Sequence, residues 1–587
     1  MMMESRDWSA AARPWRVIVA TSQLGYRPQS PKTVSLLLKG SGSLPEEIPF
    51  FIQRLGDRRA RVQPRKPREW TDRLFRWPFD IVDGELAEDG LNYGSFWGVR
   101  PRSAGALRRA DGRWGPVWQA DFTDFSEKGI FQVETPHRFS TPFVIDDDPY
   151  QRILRGYLIY LYSQRSGFEV PGIRPVENAD DAVLDRDGTP IPASGGWNDA
   201  GDTRKWLFLT LHNLEALTQV ARVGHPAFRP QAVEEIAWGN RYYQSMINEA
   251  GQVYEDVGGG PIREGQAYEE DWWCENHPGV SALGEPDTDN VPGTGDERKV
   301  RTHYAPLPQF QFVRYQALVS TVTPPHESSR SLILAERAWR HGQEKGHDER
   351  TLFVAEELLA GLELLAAGSQ AVTTQRLREV AEEVFSRQDT GGEGLSHYFL
   401  EKDATDGFRS LAFSCEPALA LLRLFELQPE GLEDLADRAG VATSAHIDRY
   451  LLADAKSNPF GVPPYGVYIE PYRTDLQSFR PAGRGRSVRT WLQPFNPLQM
   501  PHGCGGVTLA QAYLLARAAK ALKRKDWQAH AERLLQWSMG HNTEGLCLFT
   551  GVGFHHPVVG SFRNYKIPEA VAVGFIGRPD DTPYLET

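Results

Sequence analysis

From Val17 to about Ile145 the apolar residues come in short runs broken by turn formers. Thr33-Val-Ser-Leu-Leu-Leu38, Phe50-Phe-Ile-Gln53 and Gly129-Ile-Phe-Gln-Val-Glu134 read as strands, with Pro- and Gly-rich punctuation at 64–67 and 112–116 between them. This pattern predicts a β-sandwich over residues 14–145. Asp146-Asp-Asp-Pro149 then signals a helix start, and the period changes. Apolar positions now recur three and four apart, which predicts helices over 150–163, 205–222, 230–249, 309–322, 329–344, 351–367 and 372–387. Further ones are expected over 410–426, 431–440, 444–455, 505–522 and 526–539. The helices arrive in pairs without a repeat of fixed period, so an α/α toroid over 146–587 is preferred to a solenoid. Long loops between the pairs are where a site is expected.

The chain of 587 residues exceeds what one core usually serves, in keeping with two domains. A net charge of −12, with no basic track interleaved with aromatics, excludes a nucleic-acid partner. The N-terminal stretch has no apolar run longer than Val17-Ile-Val-Ala20, so neither a signal peptide nor a membrane span is expected, and the expected location is the cytoplasm. Cys274, Cys415, Cys504 and Cys547 are far apart and read as reduced thiols. Cys504 and His502 alone do not make a tetrahedral zinc site.

The candidate chemistry lies in Gly167-Phe-Glu-Val-Pro-Gly172 followed by Ser194-Gly-Gly-Trp-Asn-Asp-Ala-Gly-Asp202. Asp199 and Asp202 stand three apart in a glycine-rich turn that leads into the segment 205–222. Two carboxylates so placed can hold one water between them, one accepting its proton as it attacks a sugar carbon while the other orients it. The bland alternative is that they cap the following helix, a role Asp favours.

Here the chain resembles glycoside hydrolase family 9, whose members carry a G-G-W-x-D-A-G-D segment. The Ser22-Gln-Leu-Gly-Tyr26 opening, Thr288-Asp-Asn-Val-Pro-Gly-Thr-Gly-Asp296, Gly540-His-Asn-Thr543 and Phe549-Thr-Gly-Val-Gly-Phe-His-His556 add to the resemblance. It implies an N-terminal immunoglobulin-like sandwich followed by an (α/α)6 barrel, and an inverting β-glycoside hydrolase with Asp202 as general base and Asp199 holding the water. His555 and His556 would contact sugar, although Pro557 stands where the family has arginine. The family's general acid lies near its C-terminus, and in Gly577-Arg-Pro-Asp-Asp-Thr-Pro-Tyr-Leu-Glu586 it is Glu586 that matches the acidic residue before it. Three explanations are open: a truncated chain, which is preferred, another carboxylate such as Glu586 as the acid, or a sugar-binding homologue without catalysis.

Aromatic and polar residues mixed on loops mark candidate sugar contacts: Trp197, Trp272, Trp273, His303, Tyr304, Trp491 and His502, with Tyr268, Phe495 and Asn496 nearby. Trp206 and Trp238 sit on helical patterns and read as core. Short imported cello- or glucosamine oligosaccharides are the expected substrates, with the acidic run 269–271 either holding an ammonium or lying solvated. A different chemistry, elimination with the pair His303 and Tyr304, would leave the acidic turn without a role. No cofactor is required, and a structural calcium ion fits the loop 287–290 or 295–297. Neither oligomeric state nor endo versus exo action is legible.

Overall fold

The computed structural model describes residues 15–55, 62–63, 80–81, 101–200, 203–258, 288–409, 415–469, 479–491, 503–557 and 567–585. The N-terminal strands are β1 (Trp15–Ala20), β2 (Thr33–Gly40), β3 (Glu47–Arg54), β6 (Ser103–Gly112), β7 (Gly115–Asp121), β8 (Gly129–Glu134) and β9 (Phe143–Ile145), with β4 (Val62–Gln63) and β5 (Asp80–Ile81) forming a separate ribbon. The seven form one continuous sheet in the order β1-β2-β7-β6-β3-β8-β9, each neighbour antiparallel. A parallel bridge between Tyr26 and Ile145 returns the last strand to the chain leaving the first.

Strand β2 explains why its sequence is a run rather than an alternation. Val34, Leu36 and Leu38 face the sheet's own core with Trp118 and Phe131, while Leu37 faces a second cluster with Trp114, Trp491, Trp537 and Phe575. Both faces are therefore buried, the second against the helical part. Polar contacts cross the same boundary: Ser35 Oγ lies 2.8 Å from His541 Nε2, and Gln536 Nε2 donates to the Pro31 carbonyl at 2.8 Å.

The last sheet strand ends at Ile145 and the first helix, Gln151–Ser163, follows at once. Beyond it, helices pack as consecutive hairpins: His212–Val223 on Arg229–Ser245, Pro306–Ser320 on Pro325–Lys345, and Thr351–Ala366 on Thr374–Ser386. Glu416–Leu427 packs on Glu433–His446 and Gly505–Leu522 on Lys525–Ser538. The first member is often buried all round, as in Pro306–Ser320, where every residue from Pro308 onward is buried. Second members bury one stripe, as Thr374–Ser386 does with Leu377, Val380, Ala381, Val384 and Phe385.

The first members are tied by buried charge. Arg314 donates to Glu215 at 2.6 Å and to Glu356 at 3.1 Å, and Tyr513 donates to Glu215 at 2.7 Å. Although burial alone would raise it, the Arg314 and Arg517 guanidinium groups bring the Glu215 carboxyl down to about 2.

Three expected helices differ. The segments 431–440 and 444–455 form one run, Glu433–His446 continuing through a π turn at Ile447–Leu451 to Ala455. Gly440 does not end a helix there: a Cβ on it would stand 2.7 Å from the Phe425 ring, so the glycine serves close packing. The helix expected from 205 begins instead at Leu207, because Lys205 and Trp206 form a strand.

Candidate active site

Four two-residue strands position the acidic turn: β10 (Val183–Leu184), β11 (Lys205–Trp206), β12 (Asp256–Val257) and β13 (Lys299–Val300), in the order β10-β13-β12-β11. Lys205 is drawn into this sheet by its ammonium group, which donates to the Ala193 and Gly195 carbonyls at 2.7 and 3.1 Å and pairs with Asp181 at 2.7 Å. Burial lowers that ammonium to about 8, opposed by the Asp181 charge.

The turn is closed at its base. Asp199 N donates to Arg204 O at 2.9 Å. The Asn198 carboxamide spans the same gap: assigned the orientation that satisfies both its ends, it donates to Thr203 O at 2.9 Å while its oxygen accepts from Arg174 at 2.5 Å. Thr203 sits at φ +66°, a left-handed conformation that turns the chain from the loop into β11. Trp238 Nε1 donates to Gly196 O at 2.9 Å, and Gln164 Nε2 to Ala200 O at 3.2 Å. Asp199 is half-buried. Asp202 and Gly201 lie outside the described residues. The next helix, Leu207–Thr210, has Trp206 at its N-cap, so Asp199 does not stand at the cap position.

Beside the turn stands a chain of charges that the sequence reading missed. Arg204 donates to Asp256 at 2.8 Å, and Arg301 reaches Asp256 at 3.6 Å and Glu255 at 3.3 Å. His303, exposed, lies 3.0 Å from Glu255 and is raised chiefly by that hydrogen bond. Burial pushes Asp256 up to about 7 even beside Arg204 and Arg301. The Trp206 ring lies between the Arg204 and Arg301 guanidinium groups, 4.0 and 4.9 Å from its centroid, instead of filling a core. No alternation in Val253-Tyr-Glu-Asp-Val257 signalled the two-residue strand that carries Asp256.

Of the other candidates, His303 alone joins this cluster among the described residues. Tyr304, half-buried, donates to the Gly346 carbonyl at 2.9 Å. Trp197 and Trp491 correct the expectation of stacking rings. Trp197 is 0% exposed, with its indole N–H on Glu235 at 3.1 Å. Trp491 is 1% exposed and stacked on Trp537, 5.6 Å between centroids. Each fills a core, so neither offers a face to sugar. His555 is set against the N-terminal sheet region: its N–H donates to Gln23 at 2.9 Å. His556 bonds the Pro557 carbonyl beside it. Cys415, Cys504 and Cys547 are buried. Tyr268, the acidic run 269–271, Trp272, Trp273, Cys274, Phe495, Asn496, His502 and Glu586 lie outside the described residues. No described helix is long and apolar enough to cross a membrane.

The chain is thus a β-sheet region followed by helical hairpins, with the acidic turn leading through a small sheet into Leu207–Thr210 and the hairpin of His212–Val223 and Arg229–Ser245. The stretch that holds the turn belongs to glycosyl hydrolase family 9, whose profile matches residues 150–348. A metagenome-derived glycoside hydrolase family 9 endoglucanase aligns over 97% of this chain and 93% of its own, with TM-score 0.65 and 17% identity. A family 9 protein of Bacteroides ovatus aligns over 97% and 94%, with TM-score 0.62 and 17% identity. AaCel9A, solved in complex with a cellobiose-like isofagomine, aligns over 95% and 90%, with TM-score 0.59 and 16% identity. No curated protein matches the chain.

Proposed function

We propose that the protein is an inverting β-1,4-glycoside hydrolase of short cello- or glucosamine oligosaccharides, with an immunoglobulin-like N-terminal domain and an (α/α)6 barrel as its catalytic domain. Asp202 takes the proton of the attacking water and Asp199 holds that water. The observation that supports this reading is the turn itself: Asp199 N closes it on Arg204 O, and the helix that follows has Trp206, not Asp199, at its N-cap. His303, exposed beside Glu255 and three residues beyond β13, is the contact we assign to a sugar hydroxyl. The cellobiose-like ligand of AaCel9A favours a glucose unit at the cleaved position.

The test is hydrolysis of cellotriose and of the glucosamine dimer by the full chain, followed by proton NMR. The α-anomer is expected first, and Asp202→Asn is expected to lower kcat by roughly 10²- to 10⁴-fold. Initial β-anomer, or saturable binding of both sugars with no cleavage, overturns the reading.

A further inference from the structure

The helix Gln151–Ser163 packs against Arg229–Ser245, which is preceded by a short 3₁₀ turn, Pro226–Phe228. Between them lies a cavity of about 470 Å³, and none of its lining residues belongs to the acidic turn or to the small sheet behind it. That volume falls in the range of about 300–1,000 Å³ usual for small-molecule sites. We propose that this cavity is a second, non-hydrolytic carbohydrate site that holds pyranose units of a neutral β-1,4-glucan. That the sugar is a β-1,4-glucan rests on the function proposed above; that it is a neutral sugar rests on the cavity.

The lining has the two kinds of surface a pyranose needs. Its apolar side is made by the rings of Tyr162 and Phe228, both half-buried, with Leu158 and Ile159. The C–H face of a sugar ring stacks on such aromatic faces. Tyr162 is held in place for this: the Arg165 guanidinium lies 4.9 Å from its ring centroid, and Phe168 meets it edge-on at 5.6 Å. A ring fixed beforehand loses little side-chain freedom when a ligand settles on it. The polar rim is Arg155, Gln231 and Glu234, all exposed. Arg155 donates, the Gln231 amide donates and accepts, and Glu234 spends one oxygen on Arg165 at 3.2 Å while a carboxylate can accept several bonds.

Charge narrows the ligand. Arg155 and Glu234 oppose each other on the rim, and beneath them Arg165 pairs with Glu235 at 2.7 Å, so the charges cancel and the cavity selects neither an anion nor a cation. The floor is rigid and joined to the acidic turn. Glu235, 4% exposed, accepts from Arg165 at 2.7 Å and from the Trp197 indole N–H at 3.1 Å, and Trp197 pairs with Arg165 through a backbone bridge two residues before Asp199. A glucan held here keeps the rest of its own length close to the protein, which is the effective-concentration advantage of a second point of attachment.

The experiment runs the full chain carrying Asp202→Asn in native gels with and without hydroxyethyl cellulose, a soluble neutral β-1,4-glucan. The polymer is expected to retard the chain, and adding Phe228→Ala with Gln231→Ala is expected to weaken that association about tenfold, as the loss of one stacking ring and one amide contact would. Ala227→Arg, at an exposed position in the lining, blocks the cavity without removing a buried group and is expected to act alike. The acidic turn is read separately: with Asp202 intact, the same substitutions are expected to leave the rate on cellotriose unchanged. Failure to cleave cellotriose counts against the hydrolase reading alone. No retardation of the Asp202→Asn chain, retardation that survives in both variants, or a cellotriose rate that falls as far as retention overturns the second site.

Discussion

The backbone N–H of Asp199 donates to the carbonyl of Arg204 at 2.9 Å, so the acidic turn begins and ends at one point. Around this closure Asn198 makes a second tie, to Thr203 O at 2.9 Å. What those bonds fix is the backbone of the turn on either side of Asp199, which matters because a misplacement of about 1 Å in a reacting group can cost 10²-fold in rate.

Asn198→Ala is therefore expected to lower kcat by roughly tenfold or more with little change in KM, since it loosens orientation without removing a reacting group. Steady-state kinetics on cellotriose check this. An unchanged kcat would show that the Asp199 N to Arg204 O bond suffices alone.

Arg314→Met leaves Glu215 and Glu356 buried without their shared cation, and is expected to cost roughly 3–5 kcal/mol of stability. Urea unfolding of the variant beside the parent measures it. A change under about 1 kcal/mol would mean that Arg517 and water carry Glu215 instead.

Three buried imidazoles set one arm of the pH dependence. Burial lowers His212 to about 3, His446 to about 4 and His541 to about 3, so they stay neutral in the folded chain while an unfolded histidine titrates near 6.5. Below that pH the unfolded state binds protons the folded state refuses, and their contribution to stability is lost as pH falls. Asp256 and Glu569, raised to about 7 by burial, act with the opposite sign over the same window, holding protons that their unfolded forms release. His541→Gln isolates one proton: it is expected to flatten the rise of stability between pH 4 and 6.5 by about 1.4 kcal/mol per pH unit. Denaturant midpoints across that range read the slope.

Trp491→Ala is expected to cost roughly 3–5 kcal/mol of stability and to leave the KM of any surviving folded enzyme unchanged, because the ring fills a core. A raised KM with unchanged stability would return Trp491 to the sugar path.

Helical periodicity made the hairpins legible, and Gly505–Leu522 has the ends the pattern predicts. The acidic turn was legible because glycines and paired carboxylates are rare in company. Its exit was not: the apolar pattern of 205–222 is helical, and only the distant Asp181 shows why Lys205 leaves it for a strand. Trp197 and Trp491 were misread for a related reason. Their neighbours in sequence are polar loop residues, while Glu235, Trp537 and Phe575, which enclose them, come from other segments. Single-chain patterns report what lies three or four positions away, and these rings are decided by what lies across the molecule.

The seam where Leu37 and Trp114 meet Trp537 and Phe460 has a further consequence. Shaving off the first 145 residues would strip a roof from tryptophan and phenylalanine and leave the helices sticky in water, prone to clumping rather than merely shorter. The β region thus works as a fitted cover, and calorimetry of the whole chain should record a single endotherm in which cover and helices melt together.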